Sequence, residues 1–265
     1  MSKQHRFTGV RARALLAACG VLAALLLAGC VSSKAQQKAA KQREAATYNV
    51  QLGVAYMNQG DLARAKEKLD RAYSQDPDNP DVRSARAMLY ERMGEKDKAD
   101  AEFRAALRLA PKDPKVINNY AVYLCQVGRT DDGVKRFLEA ATNPLYPTPE
   151  VAYTNAGVCL RAAKRDEEAR ADFVRALQLK PNFAEAEFQL ATLQFQLNEL
   201  AAARSGIDAF LGTYEATPDL LLLGVRVARA QGDRLAAQRY ARKLQLDFPD
   251  TPQARALAGL DRNPG

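Results

Sequence analysis

Apolar residues recur at three- and four-residue spacing along most of the chain, and short polar turns interrupt them at regular intervals. Such spacing gives each segment one apolar face, which is typical of amphipathic α-helices. No strand-like alternation of apolar and polar residues is visible in the sequence. We therefore predict an all-α fold of short, paired helices.

The pattern has a period of 34 residues, as the spacing of Gly60, Gly94 and Gly128 shows. Three further sets keep the same step: Ala65, Ala99 and Gly133; Leu69, Phe103 and Phe137; Ala72, Ala106 and Ala140. The step lengthens by two residues through 143–149 and then resumes. Each period predicts two helices, because glycine can end the first with a positive φ and a proline such as Pro77 follows the second.

The motif Leu52-Gly53-x-x-Tyr56, followed by Ala65, Leu69, Ala72 and Pro77, resembles a tetratricopeptide repeat. The resemblance implies a right-handed solenoid of about six helix-turn-helix repeats. Gln194 and Ala228 replace the tyrosine of the motif in the last two repeats. The predicted repeats are 46–79, 80–113, 114–149, 150–183, 184–217 and 218–251. Residues 252–265 are predicted to form a capping helix and tail, with Thr251 as N-cap and Pro252 in the first turn.

The first 30 residues do not follow the repeat pattern. Four basic residues precede an apolar stretch over residues 14–27. The residues Leu27-Ala28-Gly29-Cys30 stand at the end of this stretch and directly after it. This is a secretory signal pattern, and the stretch is shorter than the roughly 20 residues that a spanning helix needs. The final four residues resemble a bacterial lipobox. We predict that residues 1–29 are a cleaved signal peptide, that Cys30 carries lipid, and that residues 30–45 form a tether.

The residue after the predicted lipid-bearing cysteine indicates which of the two bacterial membranes holds the protein. An aspartate there resembles the inner-membrane retention signal of enteric bacteria, and this chain has Val31 instead. We therefore expect the protein at the periplasmic face of the bacterial outer membrane.

Composition then excludes several functions. Residues 1–29 hold four basic and no acidic residues, so their removal lowers the formal net charge from +8 to +4, which argues against nucleic acid as a partner. The only histidine, His5, is removed as well. Without histidine, the usual nucleophile–base pairs cannot form and the usual zinc sites lose ligands. We expect no enzyme activity, no catalytic residues, no metal and no cofactor.

Two thiols remain in the repeats, Cys125 and Cys159. They fall at similar heights on the first helices of the third and fourth repeats, and such helices pack side by side. In an oxidising compartment a close pair tends to form a disulfide. The alternative is two separate buried thiols that act as small apolar side chains.

The first helices also predict a binding surface. In the repeat family, positions 2, 5, 9, 12 and 13 of each first helix point into a concave face. Apolar residues at these positions predict a partner-binding groove, because an exposed apolar stripe usually marks an interaction site. The alternative is that some of them belong to the core. The groove is predicted along repeats one to four, and its residues are Val50, Val54, Met57, Met88, Val122 and Val158. In the fifth repeat, Phe188, Thr192 and Phe195 occupy concave-face positions.

The whole arrangement is similar to lipoproteins of type IV pilus biogenesis and stability, the PilW/PilF family. Two cysteine-bearing motifs carry the resemblance: Asn118-Asn119-Tyr120-Ala121-x-x-Leu124-Cys125-x-x-Gly128 and Tyr153-Thr154-Asn155-Ala156-Gly157-x-Cys159. Membership implies a secretin pilotin, which localises the outer-membrane secretin and assists its multimerisation, with other pilus-assembly proteins as further partners. The alternative is a repeat lipoprotein that scaffolds outer-membrane protein insertion or peptidoglycan synthesis complexes.

Overall fold

The computed structural model describes residue 34 and residues 36–262. Every regular element in these residues is a helix, which confirms the predicted all-α fold of consecutive helix-turn-helix pairs. The first helix, α1, runs through residues 36–58. The others are α2 (Leu62–Gln75), α3 (Pro80–Arg92), α4 (Lys96–Leu109), α5 (Pro114–Gln126), α6 (Thr130–Ala141), α7 (Pro149–Ala162), α8 (Asp166–Leu179), α9 (Ala184–Gln196), α10 (Leu200–Thr213), α11 (Pro218–Ala230), α12 (Arg234–Asp247) and α13 (Pro252–Arg262).

Local chemistry fixes where many helices begin. The side chain of Asn79 accepts a hydrogen bond from the Asp81 backbone N–H at 2.9 Å, at the start of α3. The Thr251 hydroxyl accepts one from the Ala254 N–H at 3.2 Å, which confirms Thr251 as the N-cap of α13, with Pro252 in its first turn. Proline suits this position because its missing N–H would be unpaired there anyway. Proline opens five helices, at Pro80, Pro114, Pro149, Pro218 and Pro252.

The turn inside each helix pair contains one residue with a left-handed backbone. Four are glycines, whose φ angles are 78° at Gly60, 77° at Gly94, 82° at Gly128 and 75° at Gly232. Lys164 and Asn198 take the same conformation, with φ of 62° and 61°. Successive positions are 34 residues apart, except that 36 residues separate Gly128 from Lys164. The predicted role of glycine in the turn is confirmed, and the structure shows that two other residues can fill it.

The chain divides into two compact units, residues 1–102 and 103–265. The described part of unit 1 contains α1, α2, α3 and α4 as far as Glu102. Its α1 begins at least ten residues before the predicted start of the first repeat at residue 46, so the later part of the predicted tether is helical. The core of unit 1 includes Leu69 and Leu89, which are at most 1% exposed.

In unit 2 the first helices α5, α7, α9 and α11 pack side by side, and α6, α8, α10 and α12 pack against them. The terminal helix α13 packs on α11 and α12. Aromatic side chains from the second helices fill the space between neighbours, since Phe103, Phe137 and Phe173 are at most 1% exposed. The repeat of these positions, at steps of 34 and then 36 residues, therefore places one ring in each layer.

The two extra residues of the period lie in the connection between α6 and α7. Tyr146 of this connection is buried and packs with Ile117 and Ala152. The Asn143 side-chain amide donates to the Lys112 carbonyl oxygen at 3.0 Å. The longer connection thus contributes an aromatic ring to the core of unit 2.

The predicted signal peptide over residues 1–29 and the predicted lipid site at Cys30 lie outside the described residues. Among the helices that the structure describes, none is long and apolar enough to cross a membrane.

Candidate partner-binding surfaces

The predicted groove residues of unit 1 lie at the edge of its core. Val50, Val54 and Met88 are half-buried, and each packs against the cluster that includes Leu69 and Leu89. A change to a charged residue at these positions would therefore disturb the packing of the core as well as the predicted binding surface. Their role in binding a partner stays a prediction.

Met57 does not line a groove, and the prediction is wrong for this residue. It is 2% exposed and belongs to the core cluster with Ala85 and Leu89 of α3. The Arg92 guanidinium donates to the Met57 carbonyl oxygen at 2.7 Å, so the carboxyl ends of α1 and α3 are held together. A side chain at position 12 of the first helix therefore faces the next first helix rather than solvent.

In unit 2 the two predicted groove residues have the same half-buried character. Val122 packs against the cluster of Ala121, Phe137 and Ala156, and Val158 packs against a cluster with Phe173 at its centre. Like their counterparts in unit 1, they contribute to packing between helices. Their contact with a partner remains a prediction.

Cys125 of α5 and Cys159 of α7 are joined in the structure by a disulfide, with 2.00 Å between the sulfurs and 5.6 Å between the Cα atoms. Cys125, like Met57, is the twelfth residue of its repeat, and it reaches the neighbouring first helix for the same reason. Cys159 is 5% exposed. The bridge therefore connects two consecutive repeats through their first helices.

Gly133 of α6 makes room for this bridge. A Cβ at Gly133 would lie 2.4 Å from the Cys125 sulfur and 3.1 Å from the Ala121 carbonyl oxygen. The equivalent residues of other repeats, such as Ala65 and Ala169, are buried alanines. The sequence therefore replaces alanine by glycine in the repeat whose first helix carries a cysteine at position 12.

A concave site in the described residues lies between α9, α11 and α13. It is a cavity of about 470 Å³ that opens to solvent. Large apolar side chains form most of its wall, and Asp219, Arg226 and Gln253 add polar groups. The apolar wall consists of Phe188, Phe195, Leu222, Leu223, Pro252 and Ala256.

Two polar groups of this cavity lack partners. The Thr192 hydroxyl oxygen is buried and has no hydrogen-bond partner among the described residues. Arg226 is exposed, and within the same residues no ion pair or hydrogen bond occupies its guanidinium. Asp219, by contrast, accepts a hydrogen bond from the Gln253 amide at 2.7 Å. The unmet groups at this cavity therefore include one hydroxyl and one cation.

A second guanidinium lies on the same set of first helices. Arg161 of α7 is half-buried, and its Nη1 is buried without a hydrogen-bond partner in the described part of the chain. Burial lowers the pKa of Arg161, against the opposing effect of the charges of Glu185 and Asp166. Buried donors are normally paired in folded proteins, so this one is an exception among the described residues.

Together these features suit a partner segment that combines a large apolar side chain with acceptor oxygens. The cavity can hold the apolar group, while the exposed Arg226 can bind carbonyl or carboxylate oxygens. Phe188, Thr192 and Phe195 were identified on the sequence as concave-face residues. Leu222 and Arg226 were not, although positions 5 and 9 of the sixth repeat would have pointed to them.

Comparisons with known proteins agree with the fold. Two tetratricopeptide-repeat family models match the chain, over residues 56–118 and 151–183. A tetratricopeptide repeat protein from Parabacteroides merdae has a TM-score of 0.61 with 19% identity, covering 82% of this chain and 84% of that one, which shows the shared fold.

Other relatives share more sequence with this chain and identify a narrower family. The type IV pilus assembly protein PilF of Pseudomonas aeruginosa is 32% identical over 236 residues, which covers 88% of this chain and 94% of PilF. The solved structure of P. aeruginosa PilF has a TM-score of 0.61 with 29% identity, covering 83% of this chain and 99% of that one. PilW, a type IV pilus biogenesis factor, has a TM-score of 0.63 with 29% identity, covering 80% and 98%. The chain therefore belongs to the PilF/PilW family of tetratricopeptide-repeat proteins of type IV pilus biogenesis.

Proposed function

We propose that this protein is an outer-membrane lipoprotein that binds the secretin of the type IV pilus and assists its localisation and multimerisation. The observation that carries the proposal is the 32% identity to a pilus assembly protein across 94% of that protein's length. The signal peptide pattern and Cys30 support the membrane location. The protein acts by binding partner proteins, and residues 30–265 contain no histidine for the usual nucleophile–base pairs.

The cavity between α9, α11 and α13 is the site that we assign to a partner segment. Its apolar wall provides the burial that dominates binding energy, and hot spots of interfaces often combine aromatic and arginine side chains. Phe188, Phe195 and Arg226 supply this combination. An acidic residue beside a leucine or aromatic residue in the secretin would satisfy both parts.

Deletion of the gene tests the cellular role. We expect secretin multimers, measured on gels of unboiled membranes, to fall sharply in the deletion strain and to return with the wild-type gene. If the multimers persist while outer-membrane protein insertion or peptidoglycan synthesis fails, the alternative scaffold function is correct and the secretin proposal is wrong.

Charge reversal tests the site. Arg226→Glu should weaken binding of purified secretin periplasmic domains about tenfold or more, since it replaces attraction by repulsion without touching the core. Arg108→Glu is the matched control, because Arg108 is an exposed residue of α4, away from the cavity. Equal affinities of the two variants, measured by calorimetry, would remove the cavity from the proposal.

A further inference from the structure

One side of α1 carries an unusual solvent-facing stripe. Lys38, Lys41, Tyr48 and Leu52 of α1 follow one another at intervals of three, four or seven residues, which places them on one face of the helix, and Lys34 precedes Lys38 by four residues in the sequence. All five side chains are exposed. We call this set the α1 stripe.

The distal part of the stripe is apolar. Tyr48 is 63% exposed and Leu52 is 45% exposed. The other side of α1 packs into unit 1, where Ala46 is fully buried and Met57 is 2% exposed. The helix therefore has two apolar faces, and only one of them is covered by the described residues of the unit.

The proximal part of the stripe is basic. Described residues up to 58 include four basic residues, Lys34, Lys38, Lys41 and Arg43, against one acidic residue, Glu44. Within the described residues the lysines of the stripe form no ion pair. They are therefore available to an anionic surface.

The position of the stripe in the chain indicates which surface this is. Lys34 follows Cys30 by four residues, so its Cα lies within about 14 Å of the cysteine Cα even in extended chain. The part of the stripe on α1, from Lys38 to Leu52, is about 21 Å long. Residues 30–33, which are all that would precede it after cleavage, are too few to cover it.

We propose that the α1 stripe lies on the surface of an anionic phospholipid bilayer. The inference rests on the proposed lipidation of Cys30, which brings α1 to the membrane. The lysines pair with lipid phosphates, and Tyr48 and Leu52 enter the headgroup region, where tyrosine is favoured. Basic residues beside an acyl anchor provide a second attachment and fix the orientation of the helix.

A single tryptophan reports on this contact, because the chain has no tryptophan of its own. The experiment uses residues 30–265 with Cys30→Ser and Tyr48→Trp, mixed with vesicles of phosphatidylcholine alone or with 30% phosphatidylglycerol. We expect a blue shift of the emission with the anionic vesicles only, and its loss in 0.5 M salt. The matched control is Leu235→Trp on α12, which is 76% exposed and should show no shift.

Charge reversal of the three lysines identifies the cause. Lys34→Glu, Lys38→Glu and Lys41→Glu together should weaken vesicle binding at least tenfold in a sedimentation assay. The control reverses three exposed lysines of unit 2, Lys112, Lys135 and Lys243, and should bind within twofold of the parent chain. Circular dichroism verifies that both triple variants are folded.

Three outcomes would overturn the proposal: no blue shift at residue 48, a shift that is equal with neutral vesicles, or equal binding by the two triple variants. In the last case a net-charge effect explains the binding. If vesicles never bind but Tyr48→Trp shifts on addition of the secretin domains, the stripe is a protein interface. The vesicle assay contains no secretin, so its failure leaves the proposed pilus function standing.

Discussion

At the residue scale, the absence of a side chain at Gly133 makes room for the disulfide between Cys125 and Cys159. In a helix interior, Gly→Ala usually stabilises by about 0.5–1 kcal/mol. At Gly133 the new Cβ would lie 2.4 Å from the Cys125 sulfur. We therefore expect Gly133→Ala to lower the free energy of unfolding by about 1–3 kcal/mol, as overpacking does, measured by urea unfolding.

The Cys125→Ala, Cys159→Ala background is the control for this change. Without the sulfur, Gly133→Ala should cost at least about 1 kcal/mol less, with the contact to the Ala121 carbonyl oxygen remaining. An equal cost in both backgrounds would show that the sulfur does not explain the glycine.

Asp172 of α8 predicts a dependence of stability on pH. Burial, and then the charge of Glu168, raise its pKa from 3.8 to about 6. The folded protein thus holds the proton to higher pH than the unfolded chain does, so this residue stabilises the fold at low pH and loses that contribution between about pH 4 and pH 6. Asp172→Asn should therefore stabilise the protein by about 1 kcal/mol at pH 7.5, after allowance for its partial exposure.

Thermal unfolding at several pH values tests this. The gain from Asp172→Asn should shrink towards zero near pH 4, while the exposed control Asp250→Asn should show no comparable gain. A gain that is independent of pH would mean that the carboxylate charge is not the cause.

At the scale of elements, the inter-helix turns can be altered without touching the core. Lys164 has a positive φ that costs a non-glycine residue about 1 kcal/mol, so Lys164→Gly should raise the free energy of unfolding by up to about 1 kcal/mol. Gly128→Lys is the reverse change, and nothing lies within 4 Å of its new Cβ. It should lower stability by a similar amount, and the same sign for both changes would contradict the argument.

The bridge between α5 and α7 also acts at this scale. Cross-linking over a separation of 34 residues should stabilise the folded protein by about 3–4 kcal/mol through the entropy of the unfolded chain. We expect a lower urea midpoint under reducing conditions and a bridged peptide in the mass spectrum of an unreduced digest. Free, alkylatable thiols at Cys125 and Cys159 in the native protein would contradict the bridge.

At the scale of the whole molecule, the proposed membrane location rests on the predicted lipidation of Cys30. Acyl chains contribute about 0.8 kcal/mol per buried CH₂, so several on one cysteine hold a protein firmly. Cys30→Ser should move the protein from the membrane to the soluble periplasmic fraction after a high-salt wash, measured by immunoblot. Cys19→Ser, within the predicted signal peptide, should leave the protein in the membrane, and equal behaviour of the two variants would refute lipidation at Cys30.

The sequence by itself determined the features that depend on local chemistry. The 34-residue period, the helix pairs, the N-cap at Thr251 and the glycine turns all follow from helical periodicity and from the φ angles that particular residues allow. The departures at Lys164 and Asn198 were missed, because lysine carries no signal of a left-handed turn and asparagine, although enriched there, is a weaker signal than glycine.

The tertiary structure decided which faces of these helices remain open. Met57 and Val54 both looked like groove residues, yet α3 buries the first and leaves the second half-exposed, because position 12 leans onto the neighbouring helix. The cavity that contains Arg226 exists only because α13 packs on α11. Whether a side chain is buried depends on helices that are distant in sequence. A periodic pattern predicts which face of a helix is apolar, but it does not predict which other helix covers that face.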